Sequence, residues 1–272
     1  MVIVMLEYYI ATLSGGKDST AMLDLLLRNN YQVDYIIFND TLDEFDEMYE
    51  YIDKLEDYFY RRYGKKITRL KPIKSYNDYI FNVRSRGDNK GKIMGMPTSA
   101  FSFCEWRRDA KILPMQRWLL KENIKNYFVY FGFTTDEKQR AKGNFNLAYG
   151  GLPLFPLIDD FNMSELDCKK YLLDRDMENP LYRHFTRTGC SKCQYQSDKS
   201  FFNLWKFYPN KWNEIKELEK KVKNYHIEAV SYHFFSKYRT VKDMEILFSN
   251  QYKQSSLFDF SDEPIKDCFC KV

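Results

Sequence analysis

The stretch Leu13-Ser14-Gly15-Gly16-Lys17-Asp18-Ser19-Thr20 decides how the chain is read. The run before it, Tyr8–Leu13, has the apolar, aromatic character of a strand. The run after it, from about Asp18 to Arg28, sets Met22, Leu23, Leu26 and Leu27 on one helical face. A strand, a Gly-rich turn and a helix in that order form a phosphate cradle. The glycines let the backbone turn tightly and bring its N–H groups against phosphate oxygens. The helix N-terminus adds partial positive charge and Lys17 a full one. Ser14 and Ser19 offer hydroxyl donors, and Asp18 can hold a magnesium ion. The stretch is not a Walker A loop, which needs glycine where Ala11 stands and Ser or Thr where Asp18 stands. The competing reading is a plain Gly-rich turn with an Asp cap, against which the strand–turn–helix placement weighs.

Outward from the loop, short apolar runs keep alternating with helical patterns, the signature of a parallel α/β sheet. Val33–Phe38 reads as a second strand, Asp43–Tyr63 as a long helix, Ile67–Leu70 as a third strand and Phe128–Phe131 as a fourth. Leu154–Ile158 is a candidate fifth. Arg84–Cys104, with Gly87, Gly91, Gly95 and Pro97, reads as a long loop without structure of its own, a kind that is usually functional or mobile. Beyond Cys193 the strand signals end. Pro209 then opens a helix with Trp212, Ile215, Leu218 and Val222 on one stripe. The expected division is therefore a nucleotide-binding domain over 1–196 and a helical appendage with a polar tail over 197–272.

The 272 residues are 44% hydrophobic and 18% aromatic, with 11 glycines and 8 prolines, which suits a packed core and excludes collagen-like or low-complexity classes. With a mean hydropathy of −0.58 and no long apolar run, no membrane span is expected. Met1–Tyr9 lacks a basic start and a small-residue cleavage site, so the expected location is cytoplasmic. A net charge of +4 neither demands nor excludes a nucleic-acid partner. In such a compartment the six cysteines are not a disulfide framework, and Cys190-Ser-Lys-Cys193 reads as metal or redox chemistry, or as a reduced pair packed at a turn. Cys168 falls in a helical pattern and reads as core. Arg84, Arg86, Lys90 and Lys92 are either a solvated charge run or an anion- or nucleic-acid-contacting loop. His184, His226 and His233 show no catalytic pattern.

Ser14–Ser19 resembles the PP-loop of the ATP pyrophosphatase superfamily, and the ordered motifs resemble the phosphoadenosine phosphosulfate (PAPS) reductase family within it. Phe38-Asn39-Asp40-Thr41 matches the family's Asp-Thr after the second strand. Cys104…Arg107-Arg108…Lys111…Pro114 is similar to its Cys–basic–Pro block, and Gly132…Asp136-Glu137…Arg140 to its Gly–acidic–Arg motif. Pro156–Asp159, Asn179-Pro180-Leu181-Tyr182 and Gly189-Cys190-x-x-Cys193 match its C-terminal block. The resemblance spans about residues 8–205. It implies an α/β, Rossmann-like fold: a parallel five-stranded sheet flanked by helices.

It also implies the site. ATP or a related adenine nucleotide would contact Ser14, Gly15, Gly16, Lys17, Asp18, Ser19, Phe38, Asp40, Thr41, Gly132 and Glu137. Lys17, Lys111 and Arg140 would neutralise the leaving pyrophosphate, with Mg2+ near Asp18, and Cys190 would carry the sulfur chemistry. Cys104, Cys190 and Cys193 would meet as a metal site, a [4Fe–4S] cluster or alternatively zinc, with Cys268 or Cys270 as a further ligand or an incidental part of a frayed tail.

The chain departs from the family twice. The family's reductases typically lack an intact Ser-Gly-Gly-Lys-Asp-Ser loop, whereas members that keep it cleave ATP between the α and β phosphates. Glu105 also stands where iron–sulfur members have a second cysteine. The leading expectation is an enzyme that converts ATP to AMP and pyrophosphate while adenylating an acceptor for sulfur transfer. Its partners would be a sulfur donor or thiol reductant, a nucleic-acid or small-molecule acceptor and, in a homodimer, a second copy. The alternatives are a sulfonucleotide reductase working through a thiolate and a non-catalytic nucleotide-binding regulator.

Overall fold

Apolar residues alternate between two faces along the buried strands, because successive side chains of a strand point to opposite sides. The computed structural model describes residues 8–98, 104–235 and 238–253. In it β1 (Tyr8–Thr12), α1 (Lys17–Arg28), β2 (Tyr35–Asn39), α2 (Asp46–Tyr63) and β3 (Ile67–Leu70) alternate strictly. Next come α3 (Tyr76–Ile80), β4 (Ile93–Gly95) and α4 (Glu105–Arg107), which passes through a π turn at Arg108–Ile112 into α5 (Leu113–Lys121). Beyond them lie β5 (Tyr127–Tyr130), α6 (Lys138–Ala141), β6 (Leu152–Leu154), α7 (Pro156–Asp159) and α8 (Glu165–Leu173). The last elements are α9 (Asp198–Phe207), α10 (Pro209–Lys223), β7 (Ala229–Ser231) and α11 (Val241–Lys253).

The main sheet has five parallel strands in the order β3-β2-β1-β5-β6, as expected of this α/β class. Ile36 and Phe38 point into one core layer with α1 and α2, while Ile10, Ile37 and Val129 point into the other, against Trp118 and Leu119 of α5. The chain steps outward from β1 to β3 on one side and resumes at β5 on the other. The crevice at the carboxyl ends of β1 and β5 is thus a topological switch point, where open α/β sheets bind ligands. Among the described residues no helix is long and apolar enough to cross a membrane.

Three local expectations need correction. Leu154–Ile158 is not a strand: β6 ends at Leu154, and Pro156, with its fixed φ and missing N–H, opens the short helix α7 instead. The 84–104 segment is not wholly structureless, since it contains β4. Strands also do not end at Cys193, because β7 pairs in parallel with β4, Ile93 opposite Ala229 and Gly95 opposite Ser231. Gly95 has φ +72, and a Cβ there would lie 2.2 Å from the Ser231 carbonyl, so the pairing requires glycine. Phe201, Trp212, Phe235 and Phe248 belong to the same core cluster as Leu23 and Ile52.

Candidate functional site: a cationic cradle ringed by carboxylates

The cradle is built at the switch point. Gly15 has φ +74, and a Cβ there would fall 2.3 Å from Met48 Sδ. Asn179 Nδ2 donates to the Gly15 carbonyl at 2.8 Å and pins the turn. The Ser14 and Ser19 hydroxyls lie 2.9 Å apart, Ser19 Oγ accepts the Ser14 N–H at 3.1 Å, and Ser14 Oγ accepts the Gly16 N–H at 3.3 Å. The Lys17 N–H donates to the Tyr182 hydroxyl at 2.8 Å. At the end of β5, a Cβ on Gly132 would meet Ser19 N and Cα at 2.9 Å, so glycine lets this strand end close against the first turn of α1.

Charged groups from three segments, 17–18, 137–140 and 165, converge on that turn. Lys17 Nζ lies 3.3 Å from Asp18 Oδ1 and 2.7 Å from Glu165 Oε2 at the head of α8. Arg140 of α6 is ion-paired with Glu137 and lies over the Phe133 ring, 4.9 Å from its centroid. Oxygens of Asp18, Glu137 and Glu165 fall within 4.8 Å of one another. Burial works against the Lys17 charge, but Asp18, Tyr182 and Glu165 outweigh it and hold the ammonium above the ordinary lysine range. The loop, Gly132, Glu137 and Arg140, all expected from sequence, are brought together here. Glu165, Tyr182 and Asn179 complete the set. A Ser164–Asp167 capping box marks Glu165 as a first-turn residue, but no local pattern shows that α8 packs beside α1.

The segment after β2 behaves differently. Phe38 is 2% exposed, with its side chain in the core layer shared with α1 and α2. Asp40 accepts the Leu42 N–H and the Tyr49 hydroxyl, each at 2.8 Å, and so closes its own turn. Leu42, at φ +57, is an exposed apolar residue in a left-handed conformation. Thr41 donates to Glu44 Oε1 at 2.7 Å. Burial pushes the Glu44 carboxyl up to about 7, against the opposing effects of that hydrogen bond and of Lys111. Lys111 sits on the π turn, a distortion frequent at functional sites, and acts on Glu44 and Cys190.

Cys190 is held close to this segment. The Ser191 N–H donates to the Asp43 carbonyl at 2.7 Å, the Lys192 N–H reaches Asp43 Oδ2 at 3.1 Å, and the Lys192 ammonium pairs with Asp43 and, at 2.6 Å, with Glu214 of α10. Burial and then Glu44 push the Cys190 thiol well above its ordinary value. Cys104 and Cys190 both lie within electrostatic reach of the buried Tyr76 hydroxyl. As placed, the sulfurs of Cys104, Cys190 and Cys193 do not form a group within 4.8 Å. Ligands about 2.3 Å from one zinc ion would lie closer than that. Cys168 is fully buried, as expected of a core residue, while Cys268 and Cys270 lie outside the described residues. Arg84 pairs with Glu105 at 3.3 Å and Lys92 with Glu228 at 3.0 Å, which leaves Arg86 and Lys90 as exposed cations of that loop.

Known proteins place the chain in a family. It is 27% identical over 215 residues to an uncharacterized protein of Methanocaldococcus jannaschii, a match covering 74% of this chain and 39% of that protein. The chain thus spans about two fifths of that relative's length. A PAPS reductase from Candida auris, solved as a phosphate complex, superposes with a TM-score of 0.44 at 18% identity, covering 70% of this chain and 84% of that one. A U34-tRNA thiolase from Methanococcus maripaludis, solved with its [4Fe–4S] cluster, gives 0.40 at 19% identity over 89% and 82%. Both likenesses are too loose to transfer chemistry. Residues 8–196, well over half of the chain, match the phosphoadenosine phosphosulfate reductase domain, and the chain belongs to that family.

Proposed function

We propose that the protein binds ATP on the Ser14–Ser19 loop and cleaves it between the α and β phosphates, yielding AMP and pyrophosphate while adenylating an acceptor that sulfur then attacks. The observation that carries this reading is the gathering of Asp18, Glu137 and Glu165 within 4.8 Å beside Lys17 and Arg140. Hard carboxylate oxygens at that spacing suit magnesium. Bound there, the ion would offset phosphate charge as pyrophosphate leaves. A thiolate attacking a sulfonucleotide has no comparable need for a divalent cation. The N–H groups of Gly16 and Lys17 and the serine hydroxyls would orient the phosphates, and Lys17 and Arg140 would face the leaving group.

For the sulfur step, Cys190 is the proposed carrier, with Cys104 and Cys193 as its partners around a [4Fe–4S] cluster. Such a cluster holds its thiolates farther apart than a single ion does, and zinc on the same three cysteines is the alternative. Tyr76 Oη and Trp106 Nε1 are buried without a hydrogen-bond partner among the described residues, and donors of this kind suit cluster or thiolate sulfur. A cluster held there would supply an iron site able to bind sulfur, while Lys192 and Asp43 hold the cysteine turn beside the segment that follows β2.

Product chromatography tests the reaction: AMP with pyrophosphate supports it, and ADP as the main product rejects it. Release of sulfite from PAPS would instead establish the reductase reading. Lys17→Ala should weaken ATP binding at least tenfold, because a charge-assisted contact to phosphate is lost. Unchanged calorimetric affinity in the folded variant would remove the loop from the site.

A further inference from the structure

Each donor of the cradle described above already faces a protein oxygen where a phosphate oxygen would sit. Lys17 Nζ has Glu165 at 2.7 Å and Asp18 at 3.3 Å, the Lys17 N–H has the Tyr182 hydroxyl at 2.8 Å, and the Gly16 N–H has Ser14 Oγ at 3.3 Å. Tyr182 and Ser14 are neutral, so a phosphate displaces them at little electrostatic cost. Glu165 is different. Its displacement from Lys17 returns a full negative charge to a space it shares with Asp18 and Glu137. Together with Lys17 and Arg140, these five side chains already carry one net negative charge.

Glu165 is also firmly presented. Its N–H donates to Asp136 Oδ2 at 2.8 Å, and the Ser164–Asp167 capping box fixes the start of α8. The side chain is 45% exposed, so it can swing toward solvent or a cation without unpacking the helix.

We infer that Glu165 is an internal counter-ion of Lys17 and that it sets which form of nucleotide the cradle accepts: a polyphosphate accompanied by a divalent cation, in preference to the bare polyanion. The inference rests on the nucleotide-binding reading above and adds a specificity residue to it. A bare anion that takes Lys17 brings further negative charge to a group that is already net negative, with Glu165 beside Asp18 and the Arg140-paired Glu137. A complexed anion brings the compensating charge with it. Lys17 thereby selects for phosphate, and Glu165 selects against phosphate that arrives without a metal.

The test is calorimetry on the full chain, wild type against Glu165→Gln, with ATP in chelator and ATP with magnesium. Glutamine keeps the size and a hydrogen-bonding oxygen but removes the charge. Wild type should bind the magnesium complex more tightly than bare ATP. Glu165→Gln should bind bare ATP about three- to fivefold more tightly than wild type, the range expected for a half-exposed ion pair, and its preference for the complex should shrink. Glu165→Ala should move in the same direction. If wild type binds ATP but neither variant gains affinity for the bare form, the counter-ion role is overturned while the nucleotide reading stands. An equal loss toward both forms would make Glu165 a structural prop and overturn the inference likewise. If wild type binds ATP in neither form, the nucleotide reading falls and takes this inference with it.

Discussion

Two aspartates on α1, six positions apart in sequence, show how differently one helix treats its carboxylates. Asp24 is fully buried and saturated: it accepts Arg28 Nε at 2.6 Å, the Tyr58 hydroxyl at 3.0 Å and the Tyr171 hydroxyl at 2.6 Å, with Arg175 at 3.9 Å. Those partners come from α1, α2, α8 and the residues just after α8, so Asp24 ties three helices on one side of the sheet. Asp18, only 5% exposed, lies among Glu137 and Glu165 as well as Lys17. The first arrangement answers the demand that a buried charge be paired and hydrogen-bonded. The second gathers like charges at the proposed nucleotide site, an arrangement that costs stability.

The sharpest way to break this comparison is to remove each carboxylate in turn. Asp24→Ala removes the shared, fully buried acceptor of Arg28 and of two part-buried tyrosine hydroxyls, and should cost about 3 kcal/mol in chemical denaturation. Asp18→Asn relieves like-charge crowding, and should change stability by less than about 1 kcal/mol while abolishing magnesium-dependent nucleotide binding. Equal destabilisation by the two would show that the site is as structural as the strut.

Glu44 sharpens the comparison through pH. Its folded value of about 7 lies above the ordinary 4.5. Below pH 4.5 the carboxyl is protonated in both states and carries no penalty. Between 4.5 and about 7 the unfolded chain ionises first, so stability falls as pH rises, and above 7 the cost is constant. That difference corresponds to roughly 3 kcal/mol at most. Glu44→Gln should therefore stabilise the metal-free protein by up to that amount at pH 8 and by nothing near pH 4, as read from urea midpoints at the two values. A gain that does not vary with pH would exclude ionisation as its cause.

Much of this was legible in sequence, and the limits have physical reasons. The alternation from β1 to β3 and the cradle show because strand, turn and helix signals are local. Lys17, Asp18, Glu137 and Arg140 stand out because each sits in a motif with its own spacing. β4 and β7 escaped notice, since a three-residue parallel pair joining Ile93 to Ala229 leaves no periodicity in either segment. Glu165, Tyr182 and the Asp43–Lys192–Glu214 chain are products of packing between distant elements. The burial of the Phe38 ring is a further product of packing, because motif position says nothing about which face of a strand a ring takes.

The smallest effect distinguishes two tyrosines. The Tyr171 hydroxyl donates to Asp24 at 2.6 Å, whereas the Tyr76 hydroxyl is buried with no partner among the described residues. Tyr76 packs its ring against Trp106, with centroids 5.5 Å apart and an edge-on geometry that phenylalanine keeps. Tyr171→Phe should cost about 1–2 kcal/mol, because it removes a donor from a buried carboxylate. Tyr76→Phe should be neutral or gain up to about 1 kcal/mol in the metal-free protein, since it deletes an unsatisfied buried group. If the hydroxyl serves sulfur held near Cys104 and Cys190, the same variant should lower the iron and acid-labile sulfide retained after anaerobic purification. A stable Tyr76→Phe variant with an unchanged sulfide content would remove the hydroxyl from the sulfur site, whereas a destabilised one would show that it has a structural partner after all.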